Sequence, residues 1–264
     1  MNSKVINEIP VLSAKNIRKM FGGLVALNRV NLDLYKGEIV ALVGDNGAGK
    51  STLIKIISGA LVPDEGEIFM NRERVHFEAP SDAKKMGIET VYQNLALVNS
   101  LDVANNLFLG KEKVLSLLGN SFRILKHKEM ERSARQILDG LGIDIPNIRE
   151  RVRVLSGGQR QCIAVARAAA FGRNIVLLDE PTAALGVKEA RHVLDITLKL
   201  KEQGISIIII THNLEHAFLV ADRFFVIRLG EKVGEKYKKD TNVNEIVKMI
   251  TGGVFVGDEY SLDR

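Results

Sequence analysis

The stretch GDNGAGKS, residues 44–51, sets three glycines, a lysine and a hydroxyl at the spacing of a phosphate-binding loop. Glycines let successive backbone N–H groups turn inward around phosphate oxygens, and the helix that follows adds its positive N-terminal end. Gly44, Asp45, Asn46, Gly47, Ala48 and Gly49 are the candidate cradle, and Lys50 is the candidate partner of β- and γ-phosphates. Ser51, followed by Thr52, offers a hydroxyl to Mg²⁺. Further along, IVLLDEP ends an apolar run in two carboxylates. Asp179 suits holding Mg²⁺ through water, and Glu180 suits polarising an attacking water. Adjacent carboxylates at a strand end are, taken alone, an ordinary solvated loop start, and the phosphate loop reverses that reading. His212, directly after SIIIIT, is a candidate hydrogen-bond partner of a γ-phosphate oxygen, and Gln93 in TVYQN is a neutral side chain able to meet Mg²⁺ and water. His76, His127, His192 and His216 have no such placement and read as surface or structural residues.

This chemistry needs strand ends and helix starts to converge. IVALVGDNGAGKSTLIKIISG begins with five apolar residues suited to a buried parallel strand, breaks at glycines, and resumes with Leu53, Ile54, Ile56 and Ile57 at helical spacing. NIVLLDE and SIIIITH are two further buried strands, joined by VKEARHVLDITLKLKEQG, a helix stopped by Gly204. Strand, helix, strand is a parallel crossover, and open sheets of this kind gather ligands at the strand ends where Asp179 and His212 stand. Ahead of them, VLSAKNIRKMF and LNRVNLDLYKGEIV alternate like an antiparallel accessory sheet. From about Leu101 to Gly172 the strand patterns vanish and the segment reads as helices only. Residues 222–264 return to a strand, RFFVIRLG, then a basic turn and a short helix, NVNEIVKMI.

The 264 residues suffice for one large domain or two small ones, and 46% hydrophobic with 26% charged residues is the composition of a soluble globular protein. No apolar run approaches the roughly 20 residues of a membrane span. The N-terminus MNSKVINEIPVLS lacks the basic start and apolar stretch of a secretory signal, so a cytosolic location is expected. Cys162 is the one cysteine, can form no internal disulfide, and reads as core filling. A net charge of +5 raises the question of nucleic acid, but the basic residues are scattered, and even RILKHKEMERSAR is interrupted by acids and apolar residues. A solvated helix face is expected there and no nucleic-acid partner.

With these motifs in order, the chain from about Leu12 to about Ile250 resembles the nucleotide-binding subunits of ATP-binding cassette (ABC) transporters. The matching residues are an aromatic A-loop position at Phe21, Walker A at Gly44 to Thr52, a Q-loop at Gln93, and the signature LSGGQ at Leu155 to Gln159. Walker B follows at Asp179 with Glu180, and the switch histidine at His212. The resemblance implies an α/β fold: a P-loop NTPase core with a mostly parallel sheet, an N-terminal antiparallel β subdomain and a helical signature subdomain insert. It implies a single ABC ATPase domain over 10–251, with the α/β core at about 10–100 and 173–251, the insert at about 101–172, and a polar C-terminal tail over 252–264. It implies ATP and Mg²⁺ as cofactors, and hydrolysis of ATP. Phe21 would stack on adenine, although a packed core phenylalanine is the alternative.

VLSGGQRQ opens a helix and holds no acid, base or metal ligand. In the family two cassettes pair head to tail, so that Ser156, Gly157, Gly158 and Gln159 of one would close over ATP held by the other. A helix start with Ser156 and two glycine N–H groups is physically an anion site that can borrow its chemistry from the second chain. The implied partners are a second copy, a membrane permease docking near residues 93–110, and indirectly a solute-binding protein. The implied location is peripheral, on the cytoplasmic face of the membrane. VGDNGAGKSTLIKIISG, GIETVYQNLALV, NNLFLGKE and EPTAALGVKE are similar to single-cassette ATPases of bacterial monosaccharide importers of the ribose, xylose and fructose group. FGGLVAL is similar to branched-chain amino acid importers, and a soluble, non-transport ABC ATPase is the alternative from another class. One departure stands out: the family D-loop SALD reads AALG here, with Gly186 in place of the aspartate that contacts the opposite subunit.

Overall fold

The computed structural model describes residues 9–117, 122–172 and 174–253. The C-terminal stretch 254–264 lies outside the described residues. In chain order the elements are β1 (Leu12–Phe21), β2 (Leu24–Leu34), β3 (Ile39–Val43), α1 (Lys50–Ile57), β4 (Glu65–Met70), β5 (Glu73–Val75), α2 (Pro80–Lys85) and β6 (Ile88–Val91). The middle of the chain supplies α3 (Val103–Leu107), β7 (Val114–Leu117), β8 (Phe122–Leu125), α4 (His127–Leu141) and α5 (Gly157–Phe171). Then come β9 (Ile175–Asp179), α6 (Val187–Glu202), β10 (Ser206–Ile210), α7 (Leu214–Val220), β11 (Arg223–Arg228), β12 (Glu231–Tyr237) and α8 (Val243–Thr251).

A six-stranded sheet in the order β12-β11-β3-β10-β9-β6 forms the middle layer. Its neighbours from β11 to β6 pair in parallel, and β12 closes one edge antiparallel to β11. Each inner strand is apolar along its middle because its side chains alternate between two buried faces. Val40, Leu42, Leu177, Ile208 and Phe225 face one core, shared with α1 and the antiparallel sheet β2-β1-β4-β5. Ile39, Ala41, Val43, Val176, Leu178, Ile207 and Phe224 face the other, where α3 to α8 pack. A period-2 strand buried on both sides has no polar positions to spare, which is why SIIII could be read directly as an interior strand.

The structure departs from the sequence expectation in two places. The segment expected to be purely helical contains the β7–β8 hairpin, with Val114 opposite Leu125. Four-residue strands carry little periodic weight, so the local pattern did not set them apart from helix. The expected basic turn after β11 opens into strand β12, EKVGEKY. A polar strand with lysines is what an exposed sheet edge tolerates, and its hydrophilicity is what made it read as a turn.

At the base of the sheet, Arg223 is 1% exposed and donates from Nε and Nη2 to the Glu38 carboxylate at 2.6 and 2.7 Å, and from Nη2 to the Asp33 carbonyl at 2.7 Å. These bonds tie the start of β11 to the start of β3 and to the end of β2. Cys162 is buried on α5, and burial pushes its thiol up to about 12, as befits a small core residue.

Candidate functional site

The phosphate-type loop runs from the end of β3 to the start of α1. Gly44 has φ +155°, and a Cβ there would collide with the Ile227 carbonyl oxygen of the neighbouring strand. Gly49, with φ +107°, is the N-cap of α1 and supplies no side-chain cap, so the first-turn N–H groups of α1 have no side-chain acceptor of their own. Lys50 is 7% exposed and its Nζ donates to the carbonyls of Gly44 and Asp45, both at 2.7 Å. Burial lowers its pKa, while Glu180, Asp45 and Asp179 pull the other way. Ser51 is exposed, whereas Gly44 and Ala48 are buried under the loop and shape it rather than face outward.

Asp179 ends β9 opposite Ile210, the last residue of β10. Burial raises its pKa, the Glu180 carboxylate adds to the rise, and Lys55 and Lys50 oppose it. Glu180 sits at φ +51°, a left-handed conformation that costs a non-glycine residue roughly 1–3 kcal/mol and concentrates at functional sites. His212 Nδ1 lies 2.8 Å from Glu180 Oε2. That oxygen is buried and accepts no hydrogen bond of adequate geometry.

A cavity of about 850 Å³ gathers Phe21, Asn46, Gly47, Gly49, Lys50, Ser51, Thr52, Gln93, Asp179, Glu180 and His212. Phe21 is 50% exposed at its mouth, with Lys19 Nζ 5.9 Å from the ring centroid, which removes the core-phenylalanine alternative. Gln93 follows β6 and is exposed to this cavity and to a second one that it shares with Gly157 and Ala183 to Leu185.

The signature residues stand elsewhere. Ser156, Gly158 and Gln159 line a separate cavity of about 400 Å³ with Cys162 and Glu189. Ser156 is the N-cap of α5: its Oγ accepts from Gln159 N at 3.2 Å, and Gln159 Oε1 accepts from Ser156 N at 3.0 Å. This capping box leaves the turn formed, with Ser156 and Gly157 exposed and Gly158 buried.

A model of the ABC transporter family matches residues 27–183, more than half of the chain. The chain belongs to the ABC transporter family. It is 50% identical over 245 residues to the fructose import ATP-binding protein FrcA of Rhizobium meliloti, covering 92% of this chain and 94% of that protein. It is 47% identical over 241 residues to the xylose/arabinose import ATP-binding protein XylG of Sulfolobus acidocaldarius, covering 91% and 94%. Identity to the ribose import ATP-binding protein RbsA of Geobacillus kaustophilus is 39% over 242 residues, covering 92% of this chain and 48% of that longer protein. Among solved structures, a nucleotide-free ATP-binding cassette from an ABC transporter superposes with a TM-score of 0.78 at 28% identity, covering 92% of this chain and 95% of that one. The dimeric post-hydrolysis state of the cassette MJ0796, bound to ADP and Pi, gives 0.73 at 28% identity, with 87% and 100% covered.

Several features of this ABC cassette were not read from the sequence. Leu24, Val25 and Leu229 join Phe21 at the cavity mouth, from the start of β2 and the β11–β12 turn. Apolar residues beside a turn carry no signal of a ligand. His216, read as a surface or structural residue, places Nδ1 3.0 Å from Thr182 Oγ1 and so ties α7 to the loop that carries Glu180. Arg167 on α5 donates to the Leu95 and Ala96 carbonyls at 3.0 and 2.9 Å, fastening the segment after Gln93 to the signature helix.

Proposed function

We propose that this chain is the ATP-hydrolysing, nucleotide-binding subunit of an ABC importer that energises uptake of a monosaccharide through a membrane permease. The observation that carries the reading is the convergence of Lys50, Ser51, Gln93, Asp179, Glu180 and His212 on one cavity. Sugar as the substrate class rests on the names of the fructose, xylose/arabinose and ribose import relatives.

In this reading Lys50 and the α1 N-terminus hold the β- and γ-phosphates of ATP, and Phe21 stacks on the base. The oxygen donors Ser51, Gln93 and Asp179 fit a hard divalent cation. Among the described residues no cluster of three or more His, Cys, Asp or Glu side chains can hold a metal. Ser51, Gln93 and Asp179 would hold Mg²⁺ together with the nucleotide, and the ion would supply neutralisation of phosphate charge. Glu180 accepts a proton from the attacking water, and His212 meets a γ-phosphate oxygen and steadies the Glu180 carboxylate.

The turn of Ser156 to Gln159, exposed at Ser156 and Gly157, serves the ATP of a second copy, in a head-to-tail dimer with two-fold symmetry. ATP favours the closed dimer and hydrolysis releases it, so the cycle shifts a population between open and closed states. The permease docks at the groove of about 420 Å³ that includes Tyr92, Ala96, Leu109 and Arg167. No helix among the described residues is long and apolar enough to cross a membrane, in keeping with a peripheral subunit at the cytoplasmic face. A solute-binding protein would act through the permease without touching this chain.

Two measurements test the reading. A Glu180→Gln variant is expected to bind ATP, hydrolyse it at least about 100-fold more slowly, and form an ATP-dependent dimer by light scattering. Affinity purification from detergent-solubilised membranes should recover a polytopic permease, and recovery of soluble repair, ribosomal or cluster-assembly proteins alone would overturn the importer reading.

A further inference from the structure

Two glycines in this chain are explained by one side chain. Gly186, the N-cap of α6, has φ −66°, a conformation open to any residue, so its backbone does not call for glycine. A Cβ at that position would lie 2.5 Å from Glu189 Oε2. Gly158, in the first turn of α5, would place a Cβ 2.5 Å from Glu189 Cγ and 2.8 Å from Glu189 Cβ. Glu189 thus fills the space at both positions: its stem rests on the signature turn, and its carboxylate reaches back to the N-cap of its own helix. Glu189 is the third residue of α6, the position from which a carboxylate returns toward an N-cap. Leu185 Cδ2 packs over Gly157 in the same contact, 3.9 Å from where its Cβ would be.

We propose that Glu189 is a positioning residue that holds the loop Ala183–Gly186 against the signature turn, in place of a side chain at position 186. This inference rests on the functional reading above, in which that loop follows Glu180 and that turn serves the partner's ATP. Glu189 lies outside the cavity that gathers Lys50, Asp179 and Glu180. It sets the distance between the two segments that a closing dimer must present together. A side chain at 186 would have to displace the Glu189 carboxylate from this contact.

The test is steady-state ATP hydrolysis by the full chain, with ATP binding titrated calorimetrically on each variant. Glu189→Ala should lower kcat roughly tenfold with KM for ATP within about twofold, because the Walker cavity is untouched. Glu189→Asp, which keeps the charge but is too short to span both glycines, should fall with it. Glu189→Gln, which keeps the length, should retain at least half of the original kcat. Gly186→Asp should also lower kcat, and Gly186→Asp combined with Glu189→Ala should exceed either single variant. A Glu189→Ala enzyme within twofold of the original kcat overturns the inference, as does a double variant whose losses simply multiply. An unaltered chain that binds ATP but never turns it over overturns the functional reading instead.

Discussion

Two helices of this molecule begin at glycine-rich turns, and they are finished differently. The first turn of α1 has a left-handed glycine N-cap and no side-chain acceptor, with a buried lysine beneath it. The first turn of α5 is self-capped by Ser156 and Gln159 and is exposed at Ser156 and Gly157. An uncapped helix start leaves orphan N–H donors open to water or to a ligand, and in the proposed reading phosphate completes α1. A capped start holds its shape without a ligand, so α5 can wait, formed, until another surface arrives. In the proposed reading one chain therefore carries two unlike halves of a site, a physical reason for a second copy.

The largest break in this contrast is expected from Lys50→Ala. Losing the buried ammonium should abolish detectable ATP binding by calorimetry and reduce turnover by at least about 100-fold. Ser156→Arg should do the opposite: ATP binding to the single chain stays within about twofold, while the ATP-dependent dimer of the Glu180→Gln background disappears in light scattering. A dimer unaffected by that change would mean that α5 is not the second half. Phe21→Ala should raise the apparent KM for ATP by roughly 3- to 10-fold with kcat little changed, and an unchanged KM would demote it to a surface residue.

Smaller effects sharpen the comparison in stability. Ser156→Ala removes a cap and should cost about 1 kcal/mol in urea denaturation, a cost for which α1 has no counterpart. Asp179→Asn should raise Tm by a few degrees while abolishing turnover. The sign follows from the raised pKa of Asp179: its contribution to folding is fully present only below the ordinary carboxylate range and is lost as pH rises through the raised value. At pH 7 the charge is a cost, so its removal stabilises, and the Tm gain should vanish in acid.

Legibility differed between elements for local reasons. IVALV and SIIII are buried on both faces, and a continuous apolar run between turn signals could only be an interior strand. β7, β8 and β12 are short or polar, and their pairing is decided by partners that a local pattern does not contain. Among site residues, Lys50, Asp179 and Glu180 were legible because phosphate chemistry demands particular atoms at particular spacings. Leu24, Val25 and Leu229 were not, because an apolar rim needs only bulk in the right place.

Residue order by itself determined the phosphate loop, the carboxylate pair, the signature turn and the parallel strands that carry them, since each depends on spacing within a few residues of chain. Tertiary structure alone decided that Phe21 stands at a cavity mouth, that His216 braces the loop of Glu180, and that one glutamate occupies the space of two glycines. Those outcomes are collisions and contacts between segments far apart in the chain, and excluded volume acts through space rather than along the sequence.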